Sequence, residues 1–169
     1  MSELFDVVDE HDHVLRQESR TEVHRQRLLH RAVHVLVFNS RGEVYLQRRS
    51  ATKDTYPNRW TTSCSGHVDA GEDYDTAVVR ELVEELGIKI HGVSELKKLL
   101  KHDPCRETGW EFIWIYTLTT DAPPAPDPGE ISEGRWASLA ELDDLMAREP
   151  KEFTPSFILV WKLWLEKNK

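Results

Sequence analysis

Three glutamates, Glu81, Glu84 and Glu85, have the residue type and the spacing that most clearly predict chemistry in this chain. In a helix that turns by about 100° per residue they fall within an arc of about 100°, so three carboxylates share one face. Glu81 and Glu85 stand four residues apart, a like-charge spacing that costs a helix roughly 0.2–0.5 kcal/mol. A hard divalent cation reverses the sign of that interaction, and magnesium prefers oxygen ligands and bridges to phosphates. The stripe therefore predicts either a magnesium site or a solvated acidic face.

The helix that carries this stripe is predicted from about Tyr74 to Leu86. Val78, Leu82 and Leu86 turn to a neighbouring face, which is the apolar side that a packed helix needs. Gly87 follows at the position where a left-handed cap is least costly for glycine. The glutamates are therefore expected on a packed helix with a defined end.

Predicted strands and further helices surround this helix in the sequence. The predicted strands cover His30 to Phe38, Glu43 to Arg49, Trp60 to Ser65 and Trp110 to Thr119, with an N-terminal hairpin from Leu4 to Val8 and His13 to Glu18. The predicted later helices begin at the capping box Ser138 to Glu141 and at Thr154-Pro155. The segment from Ile88 to Lys101 fits no single element. Strands that alternate with helices predict one mixed α/β domain over residues 1–169, in which residues 1–29 are an N-terminal hairpin extension.

Composition narrows the class of protein and of partner. The chain has 169 residues and a formal net charge of −8, from 22 Lys+Arg against 30 Asp+Glu, which argues against binding long nucleic acids. Its two cysteines, Cys64 and Cys105, form neither a disulfide framework nor a CxxC ligand set, so we expect a cytoplasmic protein. No stretch approaches the roughly 20 apolar residues that span a bilayer, so we expect no membrane partner.

The segment from Gly66 to Ile88 decides between the two interpretations of the acidic stripe. It consists of Gly66, five residues, Glu72, seven residues, and then Arg80-Glu81-Leu82-Val83-Glu84-Glu85-Leu86-Gly87-Ile88. These nine defined positions over 23 residues resemble the Nudix box at every one. The segment Trp136 to Leu142 is similar to the family's strand-to-helix segment near the C-terminus.

The resemblance to Nudix hydrolases implies a mixed sheet flanked by helices, in an α/β/α sandwich. It implies a magnesium-dependent enzyme, with manganese as a substitute, that cleaves a diphosphate linkage in a nucleoside diphosphate derivative or a similar small molecule. The implied metal ligands are Glu81, Glu84, Glu85 and the carbonyl of Gly66, with Glu72 as ligand of a second metal or support for the loop. Arg80 is expected to hold the carboxylates in place. The water-activating base is open between the box and three loop acids, Asp127, Glu130 and Glu133.

A second resemblance, to type 1 isopentenyl-diphosphate isomerases, implies an alternative activity. His30, Trp60, His67 and Glu111 lie where those enzymes have metal and acid–base residues. Five histidines are candidates for such a metal site: His24, His30, His34, His67 and His102.

Two departures from the isomerases favour hydrolysis. Ser65 stands where the isomerases place a catalytic cysteine, and Cys64 lies one residue early, so we expect its side chain to face away from the box. Gly109 stands in place of a metal-binding carboxylate, so the isomerase metal set is expected to be incomplete.

The group attached to the diphosphate is expected to meet the loops and the aromatic strand. Alternation predicts one face with Trp110, Phe112, Trp114 and Tyr116, for base stacking or core packing, and the opposite face with Glu111. The candidate substrate-binding residues are Trp110, Glu111, Trp114, Glu130 and His67. The N-terminal hairpin is expected either to cover a sheet edge or to form a homodimer surface.

Overall fold

The computed structural model describes residues 3–169 as strands and helices around one central sheet. The strands are β1 (Leu4–Val8), β2 (Val14–Ser19), β3 (His30–Phe38), β4 (Val44–Arg49), β5 (Trp60–Thr61), β6 (Cys64–His67), β7 (Lys97–His102), β8 (Glu111–Thr119) and β9 (Ile131–Ala137). The α-helices are α1 (Arg20–Gln26), α2 (Tyr74–Leu86), α3 (Leu139–Arg148) and α4 (Pro155–Lys167), with short 3-10 turns at Val93–Glu95 and Pro150–Glu152.

Most of these elements agree with the sequence predictions, and the differences include the following three. The strand predicted from Trp60 to Ser65 is broken into β5 and β6. At the break, the Ser63 side chain replaces backbone pairing, because its hydroxyl accepts the Val37 N–H and donates to the Tyr45 carbonyl. The seven-residue helix α1 was not predicted, since a helix of that length shows little periodicity. Strand β7 arises within the segment that fitted no single element.

The central sheet is mixed, as the sequence predicts. Its main path runs β5-β4-β3-β8-β7, with β6 paired to β3 and β9 paired to β4. Strands β3 and β8 are parallel from the pair His30–Glu111 to the pair Phe38–Thr119, and the other pairs are antiparallel. The connection from β3 to the parallel strand β8 includes α2, as such crossovers require.

The sheet opens between β3 and β4, and this opening positions the site. The two strands pair only at Phe38 and Val44, next to their connecting turn. Beyond that point β6 occupies the edge of β3 from Ala32 to Val35, while β4 continues with β5 and β9. The turn and the strands of the predicted hairpin are therefore present, but the hairpin diverges to admit β6.

Helices cover both faces of the sheet and complete an α/β/α sandwich. Alternate residues of β3 separate the two cores: Val33 and Val35 pack with Leu82 and Leu86 of α2, whereas Leu36 packs with Phe157 of α4. Each such apolar side chain contributes about 1.5–3 kcal/mol when fully buried. The apolar face of α2 is thus fixed against the sheet, which orients its glutamate face.

Both ends of α2 are held by specific contacts. Asp73 caps the first turn by accepting the Thr76 N–H at 2.7 Å, and Gly87 ends the helix at φ 62°. The proline-rich loop 121–129 then docks on the helix end, where Ala125 N–H donates to the Leu86 carbonyl at 2.7 Å. These contacts satisfy carbonyl groups that a helix end otherwise leaves unpaired.

The N-terminal hairpin is a separate two-stranded sheet that packs on the domain. Phe5 of β1 is buried with Val7 and with Val23 of α1, and Ala70 N–H donates to the Leu4 carbonyl at 2.9 Å. Among residues 3–169, no helix is long and apolar enough to cross a membrane.

Candidate active site

A cleft of about 1010 Å³ opens beside β6 and the N-terminal elements. Seven residues of the segment from Gly66 to Ile88 line it: Gly66, His67, Asp69, Arg80, Glu81, Glu84 and Glu85. The volume is at the upper end of the range for small-molecule sites, about 300–1,000 Å³. The cleft therefore joins the acidic stripe to a space that a small molecule can enter.

Gly66 and Glu81 approach each other more closely than any other residue type at position 66 would allow. A Cβ built on Gly66 would lie 2.1 Å from the Glu81 carboxylate carbon and 2.3 Å from its Oε1. Such distances do not occur in real structures, so the carboxylate occupies the space of the missing side chain. Glu81 is thereby held against the backbone of β6, with its side chain only 12% exposed.

Glu85 is partly buried and is held by groups from two strands, β4 and β6. Its Oε1 accepts the Ser65 N–H at 2.9 Å and a hydrogen bond from Gln47 Nε2 at 3.2 Å. The same Nε2 also donates to the Ser63 carbonyl, which fixes the orientation of the Gln47 amide. Burial raises the pKa of Glu85, and the hydrogen bonds from Ser65, Cys64 and Gln47 oppose that rise.

Cys64 corrects one expectation from the sequence. Its side chain is fully buried in the core that contains Leu82, and its thiol is one of the groups that oppose the rise in the pKa of Glu85. The sequence argument was right that adjacent strand residues face opposite sides, but it assigned the sides wrongly. Cys64 faces the box helix, whereas Ser65 lines the cleft. Burial and the nearby carboxylate of Glu85 raise the pKa of the Cys64 thiol well above its usual value.

The electrostatics of the stripe favour a cation. Burial, followed by repulsion from Glu85, raises the pKa of Glu81 to about 8, although Arg80 acts in the opposite direction. Within residues 3–169 Arg80 forms ion pairs with Glu81 and Glu84, and no basic side chain forms one with Glu85. The negative charges of Glu81 and Glu85 at the cleft are thus only partly compensated by basic side chains.

Arg80 is the organising cation of the helix face. Its guanidinium donates to both carboxylate oxygens of Glu72 at 2.9 Å, to Glu81 at 2.8 Å and to Glu84 at 3.0 Å. A further bond reaches the His67 carbonyl at 3.0 Å. The hydrogen bond to Glu72 is the main reason that the pKa of Arg80 is raised above its usual value. Arg80 thus joins the helix to the loop before it.

The structure brings most, but not all, of the other predicted site residues to the cleft. Glu130, His67, Glu111 and Trp110 line it, whereas Glu72 lies behind Arg80 and Trp114 packs in the core with Lys98 4.3 Å from its ring centroid. Trp110 precedes β8 instead of belonging to it, at φ 67°. The alternation predicted for this strand therefore holds only from residue 111 onward. On its aromatic face, Tyr116 is buried in the core and Trp114 packs against it.

A second cluster of potential ligand atoms lies in the same cleft. His24, His30, His67 and Glu111 each offer one atom, and these atoms lie within 4.8 Å of one another. His67 Nε2 lies 2.9 Å from Glu111 Oε1. Burial alone would raise the pKa of Glu111, but the nearby His67 and His30 outweigh it, His67 most strongly, and hold the pKa well below its usual range. His24 from α1, one of the five candidate histidines, supplies the fourth ligand atom, and Gly109 lines the same cleft where the isomerases have a second carboxylate.

His30 contributes an unpaired nitrogen to this cluster. Its Nδ1 lies 2.8 Å from the Leu28 carbonyl, which only accepts, so Nδ1 carries the proton. Its Nε2 is buried and lacks a hydrogen-bond partner, although Glu111 Oε1 lies 3.2 Å away in a direction unsuited to a hydrogen bond. In the neutral ring two acceptors then face each other, which a cation between them would stabilise.

Sequence reasoning missed the basic walls of the cleft and the support of Glu85. The cleft is also lined by Arg20, Arg27, Arg49, Lys53 and Arg106. Arg49 ends β4 and Lys53 lies in the loop after it, which is a weak signal, and the remaining cations come from separate segments. Gln47 carries no signal at all, because an alternating strand position predicts burial and not a partner.

Comparisons with known proteins agree with this geometry. The sequence family described as NUDIX domain matches residues 28–157. An isopentenyl-diphosphate Delta-isomerase of Serratia proteamaculans is 33% identical over 171 residues, which cover 96% of this chain and 91% of that protein. A Nudix hydrolase of Deinococcus radiodurans is 36% identical over 140 residues, which cover 83% of this chain and 81% of that protein.

A solved structure extends the likeness to the whole fold. The crystal structure of DR0079 from Deinococcus radiodurans matches with a TM-score of 0.82 at 30% identity, over 96% of this chain and 99% of that chain. The overall fold is thus shared with a known protein over nearly the whole of both chains. The chain belongs to the Nudix family and is a Nudix hydrolase enzyme.

Proposed function

We propose that this enzyme is a magnesium-dependent hydrolase that cleaves the diphosphate linkage of a nucleoside diphosphate derivative or a similar small molecule. One observation carries the proposal: Glu81 and Glu85 converge beside Gly66 at an open cleft, and both have raised pKa values. Glu84, which is 57% exposed, extends the same face toward solvent. Attack of water on phosphorus next to these carboxylates is the reaction that the site supports.

Magnesium fits the donor set, and manganese is the expected substitute. The ligands present are hard oxygens, namely the carboxylates of Glu81, Glu84 and Glu85 and the carbonyl of Gly66, and no thiolate reaches the cleft beside them. When bound, magnesium neutralises phosphate oxygens, favours the attacking form of water and stabilises the leaving group. The close approach of Glu81 to Gly66 supports this assignment, because a side chain there would displace the carboxylate.

The other residues of the chain position these groups and transfer protons. Arg80 holds Glu81 and Glu84, while Ser65 N–H and Gln47 hold Glu85, so little reorganisation is needed during the reaction.

The base that accepts the proton of the attacking water comes from the box or from a loop. Within the Gly66–Ile88 segment, Glu81 is the candidate base. Asp127 and Glu130 line the cleft, but Glu130 is ion-paired with Lys53, so Asp127 is the candidate of the loop. Glu133 of β9 pairs with Arg48 of β4 and does not line the cleft.

The charge of the walls indicates the class of substrate. Arginines and lysines from α1, from the segment after β4 and from the loop before β8 surround an acidic floor. A polyanion such as a diphosphate can contact cations on the walls and reach the floor through bound metal. Trp110 at the rim offers an aromatic surface to the attached group, which supports a nucleoside derivative.

A screen of diphosphate compounds, with released phosphate or pyrophosphate as the readout, tests this proposal. We expect hydrolysis with magnesium or manganese and none with chelator. Glu85→Gln preserves side-chain volume, so the protein should fold while turnover falls by about 10² or more. Glu166→Gln on the exposed end of α4 is the matched control and should be unaffected. Wild-type turnover in a folded Glu85→Gln protein would refute the assignment.

An isopentenyl-diphosphate isomerase-like reaction is the second candidate. The cluster of His24, His30, His67 and Glu111 favours it, because three imidazoles and a carboxylate suit a transition metal. Ser65 argues against it. The serine lines the cleft where a thiol is required, and a hydroxyl is a far weaker acid than a thiol, whose pKa is about 8.5.

Deuterium exchange separates the two candidate reactions. Incubated with isopentenyl diphosphate in heavy water, the enzyme should incorporate no deuterium and form no dimethylallyl isomer. Isomerisation at about one per second, an ordinary enzymatic rate, would instead establish the second candidate.

A further inference from the structure

The outer edge of β2 is an unpaired strand edge. Within residues 3–169, β2 pairs with β1 and with no other strand, while the other edge of β1 is occupied at Asp69. The first four residues of β2, Val14 to Gln17, are exposed. An exposed strand edge carries unpaired N–H and C=O groups and is a template for pairing with another chain.

The alternation of hydrogen-bonded pairs along the hairpin shows which backbone groups of β2 point away from β1. Arg20 N–H donates to the Glu3 carbonyl at 3.0 Å, so this pair faces inward. In an antiparallel ladder such pairs alternate with outward-facing ones. The backbone groups of Ser19 and Gln17 therefore point outward, and those of Glu18 and Arg16 point toward β1. Consistent with this phase, Ser19 N–H donates to its neighbouring side chain Glu18 instead of to β1.

Apolar exposure is concentrated on the same hairpin. Leu4, Val14 and Leu15 are 48%, 52% and 60% exposed. They are three of the six large apolar side chains with high exposure in the described part of the chain, the others being Tyr56, Val83 and Ile158. The hairpin thus buries Phe5 against the domain, whereas its outer strand β2 exposes both apolar side chains and backbone groups that no other strand pairs with.

We propose that two copies of this chain associate through β2, as antiparallel neighbours around a two-fold axis at Gln17. This arrangement places Gln17 opposite Gln17 of the second copy. Arg16 of each copy then lies opposite Glu18 of the other, so the interface contains two such charge pairs. The alternative axes at Arg16 and at Glu18 place like charges directly opposite each other, which is destabilising. Of these three axes, charge complementarity selects the one at Gln17, and the two hairpins then form a continuous four-stranded sheet.

The same register covers exposed apolar side chains. Leu15 of the second copy lies opposite Ser19, and Ser19 is the cross-strand partner of Leu4 within the hairpin. These three residues form one row across the sheet, so the small serine lets the two leucines approach. The bulge between Val7 and Val8 ends regular pairing beyond Leu15. The interface is thus short and depends on its two charge pairs.

Charge reversal tests the register. Arg16→Glu alone and Glu18→Arg alone each place like charges opposite each other, and each should weaken the dimer by about tenfold or more. An equimolar mixture of the two variants should restore the dimer, because both cross-copy pairs are then opposite in charge. The double variant should restore it as well. The readout is mass by analytical ultracentrifugation across a concentration series.

Controls separate association from folding and from catalysis. Arg148→Glu reverses an exposed charge on α3 and should leave the dimer unchanged. Thermal unfolding and hydrolysis should be retained in every variant, since Arg16 and Glu18 lie outside the cleft. A wild-type protein that stays monomeric at high concentration would overturn the proposal. So would dimers that persist in both single variants, or a mixture that associates no better than its components.

Discussion

The carboxylate of Glu81 occupies the space that any side chain on Gly66 would require, with 2.1 Å between its carbon and an ideal Cβ. Gly66 belongs to β6 and Glu81 to α2, so this contact joins the sheet to the box helix. The glycine is needed for close approach and not for a special backbone angle, since Gly66 is absent from the residues with positive φ.

Gly66→Ala should therefore impair the site more than the fold. The new methyl forces the Glu81 carboxylate to move, and a displacement of about 1 Å at a catalytic group can cost about 10² in rate. Hydrolysis with magnesium is the measurement. Gly92→Ala is the matched control, because its Cβ would meet nothing within 4 Å. Equal activities in the two folded variants would contradict the proposed role of this contact.

Magnesium should stabilise the folded enzyme. Repulsion between Glu81 and Glu85 is relieved by a cation, so millimolar magnesium should raise the melting temperature through linkage of binding and folding. Calcium should stabilise as well but support less catalysis. Glu81→Gln removes one of the repelling charges, so its metal-free form should melt higher than the wild type and respond less to magnesium. A wild-type melting temperature that no divalent ion changes would favour a merely solvated acidic face.

His34 should make the protein sensitive to acid. Burial lowers the pKa of His34 from 6.5 to about 4, so its ring is neutral in the folded protein, where Nδ1 lies 2.9 Å from the Thr62 hydroxyl. The unfolded chain takes up a proton more readily, so this contribution is complete above pH 6.5 and is lost as the pH falls toward 4.

His34→Asn isolates this contribution, because asparagine keeps a donor near Thr62 but does not titrate. The wild type should melt at a higher temperature than this variant at pH 7.5, and the difference should shrink as the pH falls to 5. The reason is that the unfolded wild-type chain gains a proton on His34 that the folded protein does not bind. A constant difference across that range would show that folding does not lower the pKa of His34.

Cys64→Ala should not be silent. The thiol is one of the groups that stabilise the charged form of Glu85, and its loss leaves that carboxylate with the hydrogen bonds from Ser65 and Gln47 alone. Hydrogen bonds to charged groups contribute about 1.5–3 kcal/mol, and a thiol is a weak donor, so we expect activity to fall by about three- to tenfold. Cys105→Ala, outside the set that holds Glu85, is the control. Unchanged activity in Cys64→Ala would show that the thiol is only a packing group.

Local spacing in the sequence was enough to determine α2, its cap at Gly87 and the shared face of Glu81, Glu84 and Glu85. Each of these depends on residues a few positions apart, where helix geometry leaves little freedom. The mixed sheet followed from the order of strands and helices and from the resemblance of the box. These predictions needed no knowledge of which strands are neighbours.

Only the tertiary structure decided which distant residues meet. His24 lies on the unpredicted helix α1 and Glu111 begins β8, and they share a cluster because β3 and β8 pair in parallel. The side to which Cys64 points, and the assignment of Trp114 to the core, depend on which layer covers each face of a strand. Alternation along a strand separates two faces but does not name them, because that choice is made by packing between elements far apart in the chain.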